Sequence, residues 1–320
     1  MIDDAKKLGF KEIVKKHAPQ GIFVGVVVML LVVWSIFLEV EIRPSQRMLD
    51  LVAGDKAEGP TPVEELTGEV LAEKVVPEAG YTVRLKWGET GKKLVESGAI
   101  DLAKYQKNYS DKAGAELMSY LTEDKAEGIT INRENAYFWV NTLWALGLAQ
   151  KSKVLDEGIM GTEYKAELGN FASTAGWTLG AKKGVSLYSS AEIIALSDGE
   201  QEMVDKIAQV IYRPCCGNPT SFPDCNHGMA ILGLIELMVA QGFGEEEIYQ
   251  AALAFNSYWF TQTYMDLAYY FETRENVAWS QVDPKRVLAA EFSSASGYQA
   301  IKKQIEDVPG LPSSGGSCGA

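Results

Sequence analysis

Three cysteines and a histidine fall in one short stretch with the pattern Cys215-Cys216-x8-Cys225-x-His227. Three thiolates and one imidazole make four soft or borderline donors, enough for a closed tetrahedral metal site. Thiolate-rich sets select zinc, Cu(I) or an iron–sulfur cluster. Met229 is an additional soft donor suited to copper, and Cys318, near the end of the chain, is a further thiol able to complete or replace a ligand. A Rieske centre needs two histidines on one iron, and only His227 is present here. None of the cysteines forms a C-x2-C pair, the spacing that most strongly marks a zinc site.

The same cysteines support two other chemistries. As disulfides, Cys225 pairs with one of the neighbours and Cys318 with the other. A bridge between Cys215 and Cys216 is strained, because adjacent Cα atoms are only ~3.8 Å apart against the ~5.5 Å a disulfide prefers. As an enzyme, Cys225 is a nucleophilic or redox thiol with His227 as its base and Asp224 or Glu236 orienting the pair. Positions i and i+2 at a helix start do not face each other, which weighs against that third reading.

The chain has only two histidines, His17 and His227. Outside the N-terminal segment a monomer therefore holds no two-histidine metal site, which removes HExxH zinc and 2-His-1-carboxylate iron chemistry. Any histidine-dependent nucleophilic mechanism in the main domain must use His227.

The elements that must position these residues are a turn and a helix. Gly217, Pro219 and Pro223 bend the chain so that Cys225 returns towards Cys215 and Cys216. Asn226 is a suitable N-cap for a helix over Gly228–Gln241, and Gly242 a suitable C-cap. Cys225 then stands at a helix N-terminus, where the dipole and free N–H groups favour a thiolate.

Further helices are expected over Pro62–Lys74, Lys92–Ser97, Leu102–Tyr109, Ala113–Leu121, Ser190–Ser197, Gly199–Ile211, Glu245–Phe271 and Pro284–Ile305. Arg133–Gln150, capped by Asn132, is apolar almost all round and reads as the central buried helix. Tyr81–Trp87 is the one strand-like segment. Residues 151–186 read as a loop pinned by Phe171 and Trp177, since Gly176–Lys182 lacks the G-x-x-x-x-G-K-[ST] phosphate-loop spacing. The aromatic series Tyr258, Trp259, Phe260, Tyr264, Tyr269, Tyr270 and Phe271 reads as core.

Ahead of this lies Ile22–Leu38, apolar but for Gly25 and Ser35. With its flanks the run has the length of ~20 residues that crosses ~30 Å of hydrocarbon. Lys6, Lys7, Lys11, Lys15 and Lys16 precede it, while Glu39 and Glu41 follow it, so the N-terminus is expected in the cytoplasm and the rest outside. A cleaved signal peptide fits less well, because the run exceeds an ordinary h-region and no small-x-small site follows. Segment by segment, 1–20 is a cytoplasmic basic segment, 21–40 a transmembrane helix and 41–61 a juxtamembrane linker. Residues 62–308 are a helical extracytoplasmic domain, and 309–320 a Gly/Ser tail.

Acidic residues outnumber basic ones by 43 to 30, a net charge of −13, and such a surface repels phosphate backbones and disfavours nucleic acid. The partners expected are the membrane, through residues 21–40, and other proteins of the cell envelope. The fold class expected is mainly α, with one transmembrane helix and at most a minor β element. The function expected is a soft-metal-binding or redox module at the membrane surface. A non-catalytic envelope or assembly protein stapled by disulfides is the alternative, and a Cys225-dependent enzyme the third.

Overall fold

The hydroxyl of Thr67 accepts a hydrogen bond from the Val70 amide and opens helix α1, Gly68–Val75. The computed structural model describes residues 66–109, 112–305 and 307–310. The segment 21–40 expected to cross the membrane, its flanks 1–20 and 41–61, residues 62–65 and Cys318 lie outside the described residues. Among the described residues no helix is long and apolar enough to cross a membrane.

Strand β1, Tyr81–Val83, follows, then helices α2, Thr90–Ser97, α3, Leu102–Asn108, and α4, Lys112–Thr122. Strand β2, Ile129–Ile131, pairs antiparallel with β1, Tyr81 opposite Ile131 and Val83 opposite Ile129. This two-stranded ladder is the whole described sheet, so the expected strand reaching Trp87 is shorter than its pattern implied. Past Val83 the chain leaves the ladder, returning only for an isolated bridge between Gly88 and Lys125. The described residues form one compact, mainly helical unit.

Helix α5, Ala136–Ala149, starts later than expected. The Asn132 carboxamide oxygen accepts from the amides of Glu134 and Asn135, so it closes a local turn instead of capping the helix. Every position of α5 except Tyr137 is buried. Short pieces follow: α6, Lys153–Asp156, a 3₁₀ turn at Lys165–Asn170, α7, Ala172–Ala175, and α8, Gly184–Leu187. Trp177 is buried here and its indole N–H donates to the Ala99 carbonyl at 2.8 Å. Phe171 meets Tyr164 and Phe222 edge to face, so these aromatics pin the loop as expected.

The expected helix at Ser190–Ser197 does not form. Gln150, fully buried at the end of α5, takes its place as hydrogen-bond partner: its carboxamide oxygen accepts from the Ile193 and Ile194 amides at 3.0 and 2.8 Å. Its amide nitrogen donates to the Ile194 carbonyl at 2.8 Å. The segment is thereby held along the α5 terminus with its polar groups satisfied outside a helix.

Helix α9, Asp198–Ala208, carries a capping box between Ser197 and Glu200. Helix α10, Asn226–Val239, is buried at every position after Asn226. It packs on α5 at a crossing where neither backbone tolerates a side chain. A Cβ on Gly147 would stand 2.0 Å from the Met229 carbonyl oxygen, and one on Gly233 2.5 Å from that of Leu143. The C-cap of α10 is Ala240, two residues before the expected Gly242, which follows in the turn with φ +78°.

Two long helices expected near the C-terminus are divided. Phe260 leaves helical geometry, separating α11, Glu245–Trp259, from α12, Thr261–Tyr270, which runs into a π turn at Phe271–Glu275. After a 3₁₀ turn at Trp279–Gln281, the 284–305 segment splits into α13, Pro284–Leu288, α14, Ala290–Ser293, and α15, Ala295–Lys302. Ala289 and Ser294 are extended at the joints, and the Ser294 hydroxyl caps α15 by accepting from the Gly297 amide at 3.0 Å. Of the aromatic series, Tyr258, Trp259, Phe260, Tyr264 and Phe271 are buried in the core, with Tyr269 and Tyr270 packed against it.

Candidate metal centre

The chain between α9 and α10 is fixed by its own hydrogen bonds. The Thr220 amide and hydroxyl both donate to the Ile211 carbonyl, and the Ser221 amide donates to that of Ala208. At its start, the Tyr212 amide donates to the Leu288 carbonyl at 2.8 Å. The Cys216 carbonyl in turn accepts from the Ala295 amide at 2.9 Å, so the loop is tied to the C-terminal helices.

This framework places the sulfurs of Cys215, Cys216 and Cys225 within 4.8 Å of one another. The Cys215 and Cys225 sulfurs are 3.4 Å apart, and all three thiols are free and half-buried. The Cys216 sulfur also faces the Asn218 carbonyl at 3.8 Å. The turn expected from Gly217, Pro219 and Pro223 thus does bring Cys225 back to the neighbouring pair.

Cys225 itself, not Asn226, is the N-cap of α10. Its backbone is extended, and its sulfur accepts from the Gly228 amide at 3.4 Å. A second donor comes from a residue that the sequence reading passed over. Arg213, fully buried, directs its Nε–H at the Cys225 sulfur at 3.2 Å. Its other donors go to the Asn218 carbonyl at 2.9 Å, the Phe222 carbonyl at 3.4 Å and the Asp224 carboxylate at 2.9 Å. The second Asp224 oxygen accepts from the Asn218 side chain at 2.9 Å. Gly228 leaves room for this guanidinium: a Cβ there would lie 2.5 Å from the Arg213 Cζ.

The electrostatics single out one thiol. Hydrogen bonds from Cys215 and Cys216, then the charge and N–H of Arg213, hold the Cys225 thiol well below the ordinary range despite its burial. Cys215 is pushed up, by its bonds to Cys216 and Cys225 and by burial. Cys216 is raised to about 11: its bond to Cys215 lowers it, but its bond to Cys225 and burial outweigh that. Burial lowers the Arg213 pKa, but Cys225, Cys216 and Cys215 more than offset this and raise it. The Cys225 sulfur thus faces the Cys215 thiol at 3.4 Å and the Arg213 Nε–H at 3.2 Å.

His227 does not join the cluster. Its ring lies 4.4 Å, centroid to centroid, from that of Phe260, its Nδ1 is buried without a partner, and burial lowers its pKa to about 4. It is therefore a neutral ring in the core beneath the loop, and no hydrogen bond among the described residues joins it to Cys225. Met229 is likewise fully buried on α10. Of the two acids offered as orienting groups, Asp224 is at the site but serves Arg213. Glu236 lies three turns along α10, fully buried with neither carboxyl oxygen in hydrogen-bonding geometry, and burial raises its pKa well above the usual range. The signal for Arg213 was present but weak: an arginine two residues before a cysteine pair.

No family model, curated protein or solved structure matches the chain.

Proposed function

We propose that this chain is a membrane-anchored, extracytoplasmic module that binds one soft metal ion through Cys215, Cys216 and Cys225. The observation that carries the reading is the convergence of three free sulfurs within 4.8 Å on a loop fixed by hydrogen bonds. A preformed thiol cluster loses little conformational freedom on binding, and a thiol whose pKa its surroundings lower gives up its proton to a metal more readily. The anchor is the apolar run 21–40, with the lysine-rich N-terminus in the cytoplasm. His227 and Met229 make no hydrogen bond to the three sulfurs among the described residues, and Cys318 lies outside those residues.

A redox role is the second reading, favoured by the 3.4 Å approach of the Cys215 and Cys225 sulfurs. Oxidation at that pair would convert the site into a staple and remove two ligands. The experiment that separates the readings uses full-length protein purified in detergent, one half without reductant for the thiol count on isolation and the other half reduced for metal titration. The reduced half is titrated with Zn(II), Cu(I) and arsenite, and metal content and free thiols are counted. One ion per chain, lost in Cys225→Ser, supports the metal module. Failure of all three ions to bind, with no free thiols on isolation, sinks it in favour of the disulfide staple. A single fast-reacting thiol and no bound ion would point to thiol chemistry. Protease accessibility in intact cells tests the topology, since a protected C-terminal domain overturns the outside assignment.

A further inference from the structure

Resting on that metal reading, we infer that the site is three-coordinate and takes a trivalent, lone-pair thiophilic ion of the arsenite class, bound by Cys215, Cys216 and Cys225 alone.

The donor count is the first argument. Among the described residues the cluster groups three sulfurs, with no histidine, aspartate or glutamate among its members. His227 is turned into the core against Phe260, and the Asp224 carboxylate is held by Arg213 and Asn218. Structural zinc sites and iron–sulfur clusters take four protein ligands, and zinc on three protein ligands needs a water in its fourth position. A trivalent ion with a stereochemical lone pair completes its valence with three sulfurs and leaves its fourth direction to the lone pair.

Spacing is the second. Zinc–sulfur bonds of ~2.3 Å at tetrahedral angles set sulfurs ~3.8 Å apart, whereas a pyramidal ion with angles near 90° sets them ~3.3 Å apart for the same bond length. The Cys215 and Cys225 sulfurs stand at 3.4 Å, near the pyramidal value, and all three sulfurs lie within 4.8 Å of one another, so binding a pyramidal ion needs only the Cys216 side to close in.

Charge is the third. Three thiolates around a trivalent ion sum to zero, while Zn(II) leaves one negative charge and Cu(I) two. A buried net charge needs a partner. The buried cation here, Arg213, divides its charge between Asp224 at 2.9 Å and the Cys225 sulfur at 3.2 Å and gives its remaining donors to two backbone carbonyls, so it offsets only part of a negative cluster. A neutral tris-thiolate leaves that pairing intact. The chemistry balances without an oxidant: arsenous acid condenses with three thiols, three As–O bonds are exchanged for three As–S bonds, three waters leave and no electron moves.

The test uses full-length reduced protein with arsenite and Zn(II) as separate probes. One arsenic per chain is expected, with X-ray absorption counting three sulfur neighbours and no oxygen. Cys318→Ser should bind as the parent does. Cys215→Ser, Cys216→Ser and Cys225→Ser should each weaken arsenite by about 100-fold or more, since even outer-shell changes cost 10–100-fold at metal sites. Melting curves confirm that each variant folds, and a variant that does not is replaced by cysteine-to-alanine at the same position. Two sulfurs and one oxygen at arsenic, unchanged binding in Cys216→Ser, or zinc that excess arsenite fails to displace would overturn the inference while leaving the metal reading standing. If neither probe nor Cu(I) binds, the metal reading itself fails.

Discussion

The Nε–H of buried Arg213 points at the sulfur of Cys225 across 3.2 Å, while the same guanidinium holds Asp224 at 2.9 Å. One cation is thus shared between a thiolate and a carboxylate, and the loop closes around it. Arg213→Met should raise the Cys225 pKa towards the ordinary ~8.5 of a free thiol. It should also destabilise the fold by about 3 kcal/mol, the scale for removing one partner of a buried ion pair. The pH dependence of alkylation and a urea melt report the two effects. A thiol pKa that stays low in the variant would show that the helix start and the neighbouring thiols suffice without Arg213.

A depressed thiol pKa also has a sign in stability. The unfolded chain binds the Cys225 proton more tightly than the folded one, so stability rises with pH between the folded value and ~8.5. It is lost as pH falls through the folded value. In Cys225→Ser that part of the pH slope should vanish, read as the difference between parent and variant melts across the range.

Gly228→Ala should invert the usual rule for helices. An exposed helical glycine replaced by alanine gains up to ~1 kcal/mol. Here the new methyl would stand 2.5 Å from the Arg213 Cζ, so a loss of about 1–3 kcal/mol is expected from overpacking. A raised Cys225 pKa should accompany it, because the guanidinium must shift. Thermal melts and thiol titration read both, and a stabilised variant would contradict the placement of Arg213.

Glu236 is the opposite case. Its folded pKa is raised by burial, so the folded state holds the proton longer than the unfolded one and stability falls as pH climbs above ~4.3. Glu236→Gln should therefore stabilise the protein at neutral pH, on the order of 2 kcal/mol, with the gain disappearing in acid. Equal stability of parent and variant at pH 7 would mean that the carboxylate finds a partner in solution.

His227 titrates at about 4 in the fold against 6.5 in the open chain, so the unfolded state gains the proton first as pH drops. Stability present above 6.5 erodes towards 4. His227→Leu should flatten that window. It should also leave metal binding within a few-fold of the parent, as the imidazole stands outside the sulfur cluster. A large loss of binding would restore the histidine as a ligand.

Much of this was legible from residue patterns. An all-round apolar run identified α5 as central, and the prolines and glycine of the 215–225 turn implied the return of Cys225. Pattern failed where a single side chain overrode it. Gln150 captures the amides of Ile193 and Ile194 from more than forty residues away, which no local window registers. Asn132 and Asn226 are good caps by type, yet one closes an Asx turn and the other yields to the sulfur of Cys225. Arg213 escaped notice because arginine reads as surface until the fold buries it. Its partners Asn218, Phe222, Asp224 and Cys225 become a set only once the loop has closed.

The hydrogen bond from the Ala295 amide to the Cys216 carbonyl gives the sulfur cluster a place in time. A chain made from its N-terminus exposes all three cysteines of the loop well before residue 295 exists. Until α13–α15 dock, the loop lacks both this anchor and the one that Tyr212 finds on Leu288. The thiols therefore meet their surroundings first as an open loop and only afterwards as a finished site. Whichever arrives in that interval, a thiophilic ion or an oxidant, has the first opportunity to decide the state of the three sulfurs.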